Sequence, residues 1–268
     1  MQISYRMSAN KFNLSATGNI SYNDNKIVDL KNNGVRSWEN DYSFRQEGYP
    51  VNSFGGYQVL GIFQTEEEVA NSAVVNRTQA APGDLKYKDV NDDGKIDGED
   101  RVYLGSWTPK TTFGLNLAAD WKGFDASLFF SGALNVKGYL RTETIGELGG
   151  NTSKPTTLFR DSWHATENPD GQFPRALSTW MYNYSGTPSS FWIINSSYLR
   201  LKNIQLGYTL PKKWTQFVGI ARARAYYSGQ NLFTFSAFNG GFDPEAPVAA
   251  RAYYPQVKIH TLGLSVTF

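Results

Sequence analysis

The chain has 268 residues, of which 40% are hydrophobic and 19% charged, with a formal net charge of +2 and no cysteine. The nearly balanced charge argues against a nucleic-acid partner, and the lack of cysteine excludes disulfides and thiolate metal or redox sites. No apolar run approaches the roughly 20 residues of a transmembrane helix. The residues after Met1 have neither the basic start nor the apolar core of a signal peptide.

Aromatic content indicates the fold class. Tyr, Phe and Trp make up 15% of the chain, and 25 glycines accompany them. Strand-forming residues combined with many glycine-containing turns indicate an all-β protein. On composition alone, a soluble sandwich is one interpretation.

Alternation of apolar and polar residues, the period of a β-strand, recurs along the chain. It is nearly unbroken from Phe12 to Tyr22, and it returns on both sides of Lys122-Gly123, which predicts a hairpin turn. In chain order the strand patterns include 12–22, 113–121, 124–130, 203–210, 222–235 and 262–268. Many of these patterns exceed the roughly 5–6 residues of a globular strand and match the about 9–11 residues of a membrane-spanning strand.

The second face of these strands carries small and polar residues, which suit a water-filled lumen. Aromatic residues near strand ends, such as Trp121, Tyr208 and Phe268, fit the aromatic girdles of such barrels. We therefore predict an antiparallel transmembrane β-barrel. A large soluble antiparallel sheet with one wet face is the alternative.

Long polar stretches lie between the strands, at 32–56, 64–110 and 142–196. Short turns on one side and long loops on the other are typical of outer-membrane barrels. Thr65 followed by Glu68 forms a capping box that predicts a short helix in one loop. We count about eight strand patterns, and the loops are too large for a small closed barrel. Because bare edges are not tolerated in lipid, either the first strand closes on the last or the chain is a fragment of a larger barrel. We favour the fragment.

The segment 89–100 matches the twelve-residue calcium loop at positions 1, 3, 5, 6, 9 and 12. Calcium binds six to eight oxygens, and Gly94 at position 6 permits the sharp turn. The last position holds Asp100 where the pattern has Glu, and the strand-like flanks at 85–87 and 102–104 argue for a structural clip on an external segment. The alternative is an acidic turn that binds no metal. The candidate ligands are Asp89, Asn91, Asp93, the Lys95 carbonyl, Asp97 and Asp100.

No catalytic motif is present, and we predict that the chain is not an enzyme. The two histidines, His164 and His260, lie far apart in sequence. Asp243 and Glu245 flank a proline and could mimic a glycosidase carboxylate pair, but two carboxylates at this spacing are common by chance.

The segment 173–198 is rich in aromatic residues, whose flat faces stack on sugar rings or on a partner protein. The alternative is that they pack the loop against its neighbours. The candidate binding residues are Trp180, Tyr182, Tyr184 and Trp192. At the carboxyl end, Phe268 follows apolar residues at every second position, which resembles the signal read by the outer-membrane assembly machinery.

Several segments together resemble the SusC/RagA-like TonB-dependent transporters. They occur in family order and span most of the chain. The segments are 48–54 (GYPVNSF), 61–64 (GIFQ), 82–88 (PGDLKYK), 122–125 (KGFD), 198–208 (YLRLKNIQLGY), 228–234 (SGQNLFT) and 241–245 (GFDPE).

The resemblance implies a 22-strand barrel in a Gram-negative outer membrane, with residues 1–268 as its C-terminal part and 84–104 as an external segment that contains the calcium loop. It implies import of glycans or peptides powered through the TonB complex, and a SusD-like surface lipoprotein as partner. The plug domain and the TonB-contacting segment are expected to lie outside this sequence. Asp92 stands where the family often has Gly. A secreted calcium-binding β-domain that recognises carbohydrate is the alternative function.

Overall fold

The structure, a computed structural model, describes residues 1–31, 36–38, 41–140, 157–176, 187–238, 243–246, 248–249 and 256–268. Within these ranges the secondary structure is mainly β. The strands are β1 Gln2–Ala9, β2 Phe12–Tyr22, β3 Arg36–Trp38, β4 Ser43–Gln46, β5 Ser53–Gly56, β6 Val59–Ile62, β7 Leu85–Tyr87, β8 Val102–Ser106, β9 Thr111–Trp121, β10 Phe124–Leu134, β11 Lys137–Leu140, β12 Ile193–Asn195, β13 Tyr198–Thr209, β14 Arg222–Ser236, β15 Val248–Ala249 and β16 Ile259–Thr267.

Helices are few and short. The α-helices are α1 Glu66–Ala70 and α2 Lys212–Thr215, and the 3-10 turns are Gly98–Asp100, Thr157–Asp161 and Gln216–Val218. In the part of the chain that the structure describes, no helix has the length and apolar character needed to span a bilayer.

Seven long strands form one antiparallel sheet in the order β1-β2-β9-β10-β13-β14-β16. These are the strands predicted from alternation, together with β1, and they confirm the antiparallel fold class. The predicted turn is also confirmed, because Lys122 and Gly123 have positive φ angles of 47° and 93°, as a two-residue hairpin turn of type I′ requires.

Register sets the two faces of the sheet. Since side chains alternate along each strand, residues that are paired across strands share a face. One cross-strand row is apolar and runs through Met7, Leu14, Ala119, Ala126, Leu206, Tyr227 and Leu262. The adjacent row lies on the other face, is mostly polar, and runs through Arg6, Ser15, Ala118, Ser127, Gln205, Ser228 and Thr261.

The long connections at one end of the sheet fold together. We call residues 41–110, 135–140, 157–176 and 187–197 the loop assembly. In these stretches the sequence predicted one short helix and the strand-like segments 85–87 and 102–104, which are β7 and β8. The structure also places β4, β5, β6, β11 and β12 there, in three small sheets that include β3 and β15. Two clusters of buried side chains form its core, one around Phe54, Tyr139 and Trp192 and the other around Phe63, Leu85 and Ile96.

The helix predicted at Thr65 is α1. The Thr65 hydroxyl accepts a hydrogen bond from the Glu68 amide at 3.1 Å, as an N-cap should. The return bond differs from the expected capping box, because Glu68 accepts from the Gln64 amide, one residue further back. At the other end, the Arg77 guanidinium donates to the carbonyls of Val69 and Ala70, which satisfies groups that a five-residue helix leaves free.

Candidate functional site

The apolar face of the seven-stranded sheet is unusually open. Leu262 and Leu264 on β16 are 84% and 80% exposed, and Ile3 on β1 and Phe124 on β10 are more than half exposed. Contiguous apolar surface of this kind marks an interaction with a partner or a membrane. This apolar face continues across all seven strands, so the exposed apolar surface is extended rather than confined to a small patch.

The opposite face carries hydrogen-bonded polar groups. The Asn13 amide donates to the Asp120 carboxylate at 2.7 Å, and the hydroxyls of Ser4 and Thr17 lie 3.1 Å apart. Asp125 on β10 and Arg224 on β14 form an ion pair across the intervening β13. This face is therefore suited to contact with water, in contrast to the apolar face.

A buried ion cluster lies where β13 meets the segment 243–246. Arg200 is 2% exposed, and its guanidinium donates to the Asp243 carboxylate at 2.7 Å and to the Thr234 hydroxyl at 2.9 Å. Glu245 lies 3.4 Å from Arg200 and 2.6 Å from Lys202. Asp243 and Glu245, considered above as a glycosidase-like pair, are thus engaged by two cations of one strand.

The sequence pattern did not predict this cluster. Its two halves lie in the segments 198–208 and 241–245, which are far apart in the sequence. An arginine in an alternating strand and an acidic residue before a proline were the available signals. Their pairing depends on the return of a loop more than 40 positions further on, which local pattern does not indicate.

A second ion pair holds the loop assembly together. Arg175 donates to both carboxylate oxygens of Asp84, at 3.0 and 2.9 Å, and Asp84 is fully buried. Beside it, the Trp163 indole donates to the Gln64 side chain at 2.9 Å. These contacts connect segments that are 91 and 99 positions apart, so the loop assembly is a specific packed unit.

The acidic loop 89–100 is closed by hydrogen bonds from its own backbone. The Asp89 carboxylate accepts from the amides of Asp93 and Gly94, at 3.3 and 2.8 Å. Asp93 accepts from the Lys95 amide at 2.9 Å, and Asn91 accepts from the Asp93 amide at 3.3 Å. Gly94 has a φ of +82°, which fits its predicted role at the sharp turn.

The second half of the loop is anchored to the loop assembly. Asp100 is fully buried, and its two oxygens accept from the Val90 and Asp97 amides at 2.7 and 2.8 Å. Ile96 is 2% exposed and packs in the second cluster of the core. The predicted ligand types, all oxygens, suit calcium, and each carboxylate oxygen keeps a lone pair beyond its bond to an amide. Among the described residues, however, no three acidic or histidine side chains converge closely enough to hold a metal, so calcium binding stays a prediction.

The predicted aromatic site is described only in part. Trp180, Tyr182 and Tyr184 lie outside the described residues. Trp192 is 2% exposed and meets Phe191 edge to face, with ring centroids 4.7 Å apart. This environment fits the packing alternative for Trp192.

The remaining singled-out residues lie apart from one another. His260 on β16 bonds through Nδ1 to the Tyr227 hydroxyl at 2.8 Å, whereas His164 lies in the loop assembly and accepts from the Glu167 amide at 3.2 Å. Phe268 follows β16 and is 89% exposed, so its ring is accessible as an assembly signal would need to be.

The sequence of the chain is similar to those of known TonB-dependent receptors. The chain is 31% identical to the TonB-dependent receptor P3 of Formosa agariphila, in an alignment that covers 96% of this chain and 27% of the receptor. It is 28% identical to the TonB-dependent receptor SusC of Bacteroides thetaiotaomicron, over 82% of this chain and 20% of SusC. No family model matches. The chain spans about a quarter, 27%, of the length of the first of these relatives.

Solved structures agree on the fold. The RagAB peptide importer in its open-open state superimposes with a TM-score of 0.76 at 23% identity, covering 100% of this chain and 28% of that chain. A structure of the RagAB peptide transporter gives a TM-score of 0.77 over the same share of each chain. At this identity the likeness concerns the fold.

Proposed function

This chain is related to the SusC/RagA-like TonB-dependent receptors over nearly its whole length, and from that premise we propose that it supplies wall strands and external loops of an outer-membrane nutrient transporter in a Gram-negative bacterium. The observation that carries the proposal is the two-faced sheet. Seven antiparallel strands of 8 to 15 residues present a continuous apolar face and a hydrogen-bonded polar face. Strands of that length and pattern are those that cross a bilayer around an aqueous lumen.

The seven strands form part of a larger barrel in this proposal. A sheet with two free edges is not tolerated in lipid, so β1 and β16 each need a neighbouring strand. The relatives are several times longer than this chain, which leaves ample sequence for those strands. We propose that the chain forms the C-terminal part of a barrel of about 22 strands, the number implied by the family resemblance.

The substrate is an oligosaccharide or a peptide. A similar solved structure is named as a peptide importer, which supports a peptide, and the family resemblance of the sequence implies glycans as the other class. Energy would come from the TonB complex, through parts of the protein outside this chain. A SusD-like surface lipoprotein would rest on the loop assembly, whose packed core gives a partner a defined surface.

Uptake by cells tests this function. Cells that lack the full-length protein are expected to lose uptake of one class of labelled oligomer, either oligosaccharide or peptide, and to keep uptake of the monomers. Restoring the protein should restore uptake, whereas the same protein without the loop assembly should reach the membrane and fail to import. Unchanged uptake of every oligomer tested would remove the transport function.

Extraction separates the proposal from a secreted calcium-binding domain that recognises carbohydrate. The membrane-bound protein should leave the outer-membrane fraction only with detergent. Recovery of the chain as a monomer in buffer without detergent would favour the secreted domain.

Assembly depends on Phe268 in this proposal. The exposed ring would bind the outer-membrane assembly machinery. Phe268→Ala should lower the amount of folded protein in the outer membrane, whereas Val28→Ala, at a similarly exposed position, should not. Equal loss from both changes would contradict the role of the terminal aromatic.

We also propose that the loop 89–100 binds calcium as a structural clip. Asp89, Asn91, Asp93, Asp97, Asp100 and the Lys95 carbonyl would supply the oxygens. Titration calorimetry on the purified protein should show calcium binding that Asp89→Ala with Asp93→Ala abolishes. Asp92→Asn is the matched control, because it removes a charge from the same loop at a position that supplies no ligand. Absence of calcium heat in the unaltered protein would end the proposal.

A further inference from the structure

Three short connections lie at the end of the sheet opposite the loop assembly. We call residues 10–11, 122–123 and 210–221 the turn end. Hydrogen bonds join neighbouring parts of it to the sheet: the Thr209 amide donates to the Gly123 carbonyl at 2.8 Å, and the Ala221 amide donates to the Thr267 carbonyl at 2.8 Å. The turn end is therefore one continuous rim.

The connection 210–221 is ordered yet presents large apolar side chains to solvent. The buried Thr215 hydroxyl donates to the Lys212 carbonyl at 3.2 Å, and Gly219 ends the 3-10 turn in the left-handed conformation with a φ of 70°. On this fixed turn, Phe217 is 94% exposed, Val218 67% and Trp214 58%.

Charge on the turn end has one sign. Its lysines are Lys11, Lys122, Lys212 and Lys213, and it contains no aspartate or glutamate. Lys212 and Lys213 are exposed and form no ion pair with any described residue. The loop assembly at the other end has the opposite character, with acidic residues concentrated at 66–68 and 89–100.

Aromatic and basic residues are neighbours at two places on the turn end. The Lys122 ammonium lies 4.8 Å from the centre of the Trp121 ring, and Lys213 is followed directly by Trp214. Trp121 and Phe124 are themselves about half exposed and continue into the apolar face of the sheet. The rim thus joins an apolar surface on one side to unpaired cations on the other.

We propose that the connection 210–221 is a binding site for anionic phospholipid headgroups, in which Trp214, Phe217 and Val218 enter the membrane interface while Lys212 and Lys213 bind lipid phosphates. Tryptophan and phenylalanine favour the boundary between acyl chains and headgroups, and each lysine near an anionic surface adds attraction. A general aromatic girdle needs no lysines, whereas unpaired lysines on the same turn select for negative lipids. The inference rests on the proposed membrane location of the sheet.

Fluorescent labels at single cysteines test the site. This chain has no cysteine, so Phe217→Cys, Leu264→Cys and Val28→Cys each create one labelling position, with any cysteine elsewhere in the full-length protein replaced by serine. The labelled protein is reconstituted in phosphatidylcholine vesicles that contain brominated phosphatidylcholine or brominated phosphatidylglycerol. Quenching reports how close each lipid lies to the label.

The label at 217 should be quenched, and more strongly by phosphatidylglycerol than by phosphatidylcholine at the same mole fraction. From the attraction of one lysine to an anionic surface, the preference should fall about fivefold when Lys212→Gln is introduced and about 25-fold when Lys213→Gln is added. Lys88→Gln, at an exposed position of the loop assembly, is the matched control and should leave the preference unchanged.

The three labels distinguish the possible failures. Quenching at 264 without quenching at 217 would overturn the lipid site and leave the membrane location standing, and it would mean that a protein surface covers the turn. Equal quenching of 217 by both lipids would overturn the selection for anionic lipid. Absence of quenching at 264 would overturn the membrane location itself. Strong quenching at 28 would place the connection that follows β2, at the end of the sheet away from the turn end, in the bilayer and contradict both.

Discussion

Replacing Asp243 by alanine would leave the Arg200 guanidinium buried without its closest anion. Arg200 is 2% exposed, and the side chain of Asp243 is 9% exposed at 2.7 Å. Removing one partner of a buried pair costs about 3–5 kcal/mol, because the remaining charge is desolvated and unpaired. Glu245 remains 3.4 Å away and compensates in part, so we expect a loss of about 3 kcal/mol in the free energy of unfolding.

Urea unfolding of the full-length protein in detergent, followed by tryptophan fluorescence, measures this loss as a lower midpoint at constant slope. Lys202→Met is the matched control, because Lys202 pairs with Glu245 at a partly exposed position and should cost less than about 1 kcal/mol. The double variant Arg200→Met with Asp243→Leu should recover most of the loss, since it leaves no unpaired charge. A loss below about 1 kcal/mol for Asp243→Ala, or a double variant as unstable as the single, would refute the reasoning.

Three further predictions concern the apolar face, a turn and a loop carboxylate. Leu262→Lys should lower the free energy of unfolding of the membrane-bound protein by about 2–4 kcal/mol, whereas Thr261→Lys, one residue away on the polar face, should change that free energy by less than about 0.5 kcal/mol. Equal effects in refolding titrations would contradict the assignment of faces. Gly123→Ala should cost at least about 1 kcal/mol in urea unfolding, because Gly123 has a φ of +93° and an added Cβ would lie 2.9 Å from the Thr209 carbonyl oxygen. Gly98→Ala is the control, because an added Cβ at Gly98 would contact no other atom. Hydrogen bonds from the Gln64 amide and, to a smaller extent, from the Lys86 ammonium lower the pKa of Glu68 below its usual value of 4.5. Because the folded state favours the charged carboxylate, this stabilises the fold at pH values above the usual pKa, so Glu68→Gln should reduce the melting temperature at pH 7 and lose this effect as the pH falls below about 4. A difference in melting temperature that persists at low pH would contradict the ionic origin.

The long strands were predictable because their signals are local. From Phe12 to Tyr22 each residue's face follows from its parity, and Lys122-Gly123 lies between two such patterns, so the hairpin is present in a window of about two dozen residues. The strand ends were less certain, since β10 continues to Leu134, beyond the clear alternation at Phe130. There, packing against β13 decides how far the strand extends.

The loop assembly was not predictable in this way. Its strands are three to five residues long, too short for a periodic pattern, and only β7 and β8 were indicated, as the strand-like flanks of the acidic loop. The contacts that hold it, such as Asp84 with Arg175, join residues whose neighbours in sequence carry no sign of the pairing. The acidic loop is the intermediate case, because its spacing predicts a turn with oxygen ligands, while the burial of Asp100 depends on the surrounding core.

The separation in sequence of these contacts sets the order of folding. The β9–β10 hairpin pairs immediate neighbours and forms early, whereas the bidentate contact of Arg175 with Asp84 and the bond of Tyr87 to Thr187 close circuits of about 100 residues. Closing such circuits costs chain entropy before any contact repays it, which slows the search. The pairing of β2 with β9 spans a similar number of residues, so we expect the loop assembly and that strand pair to form together, after the β9–β10 hairpin.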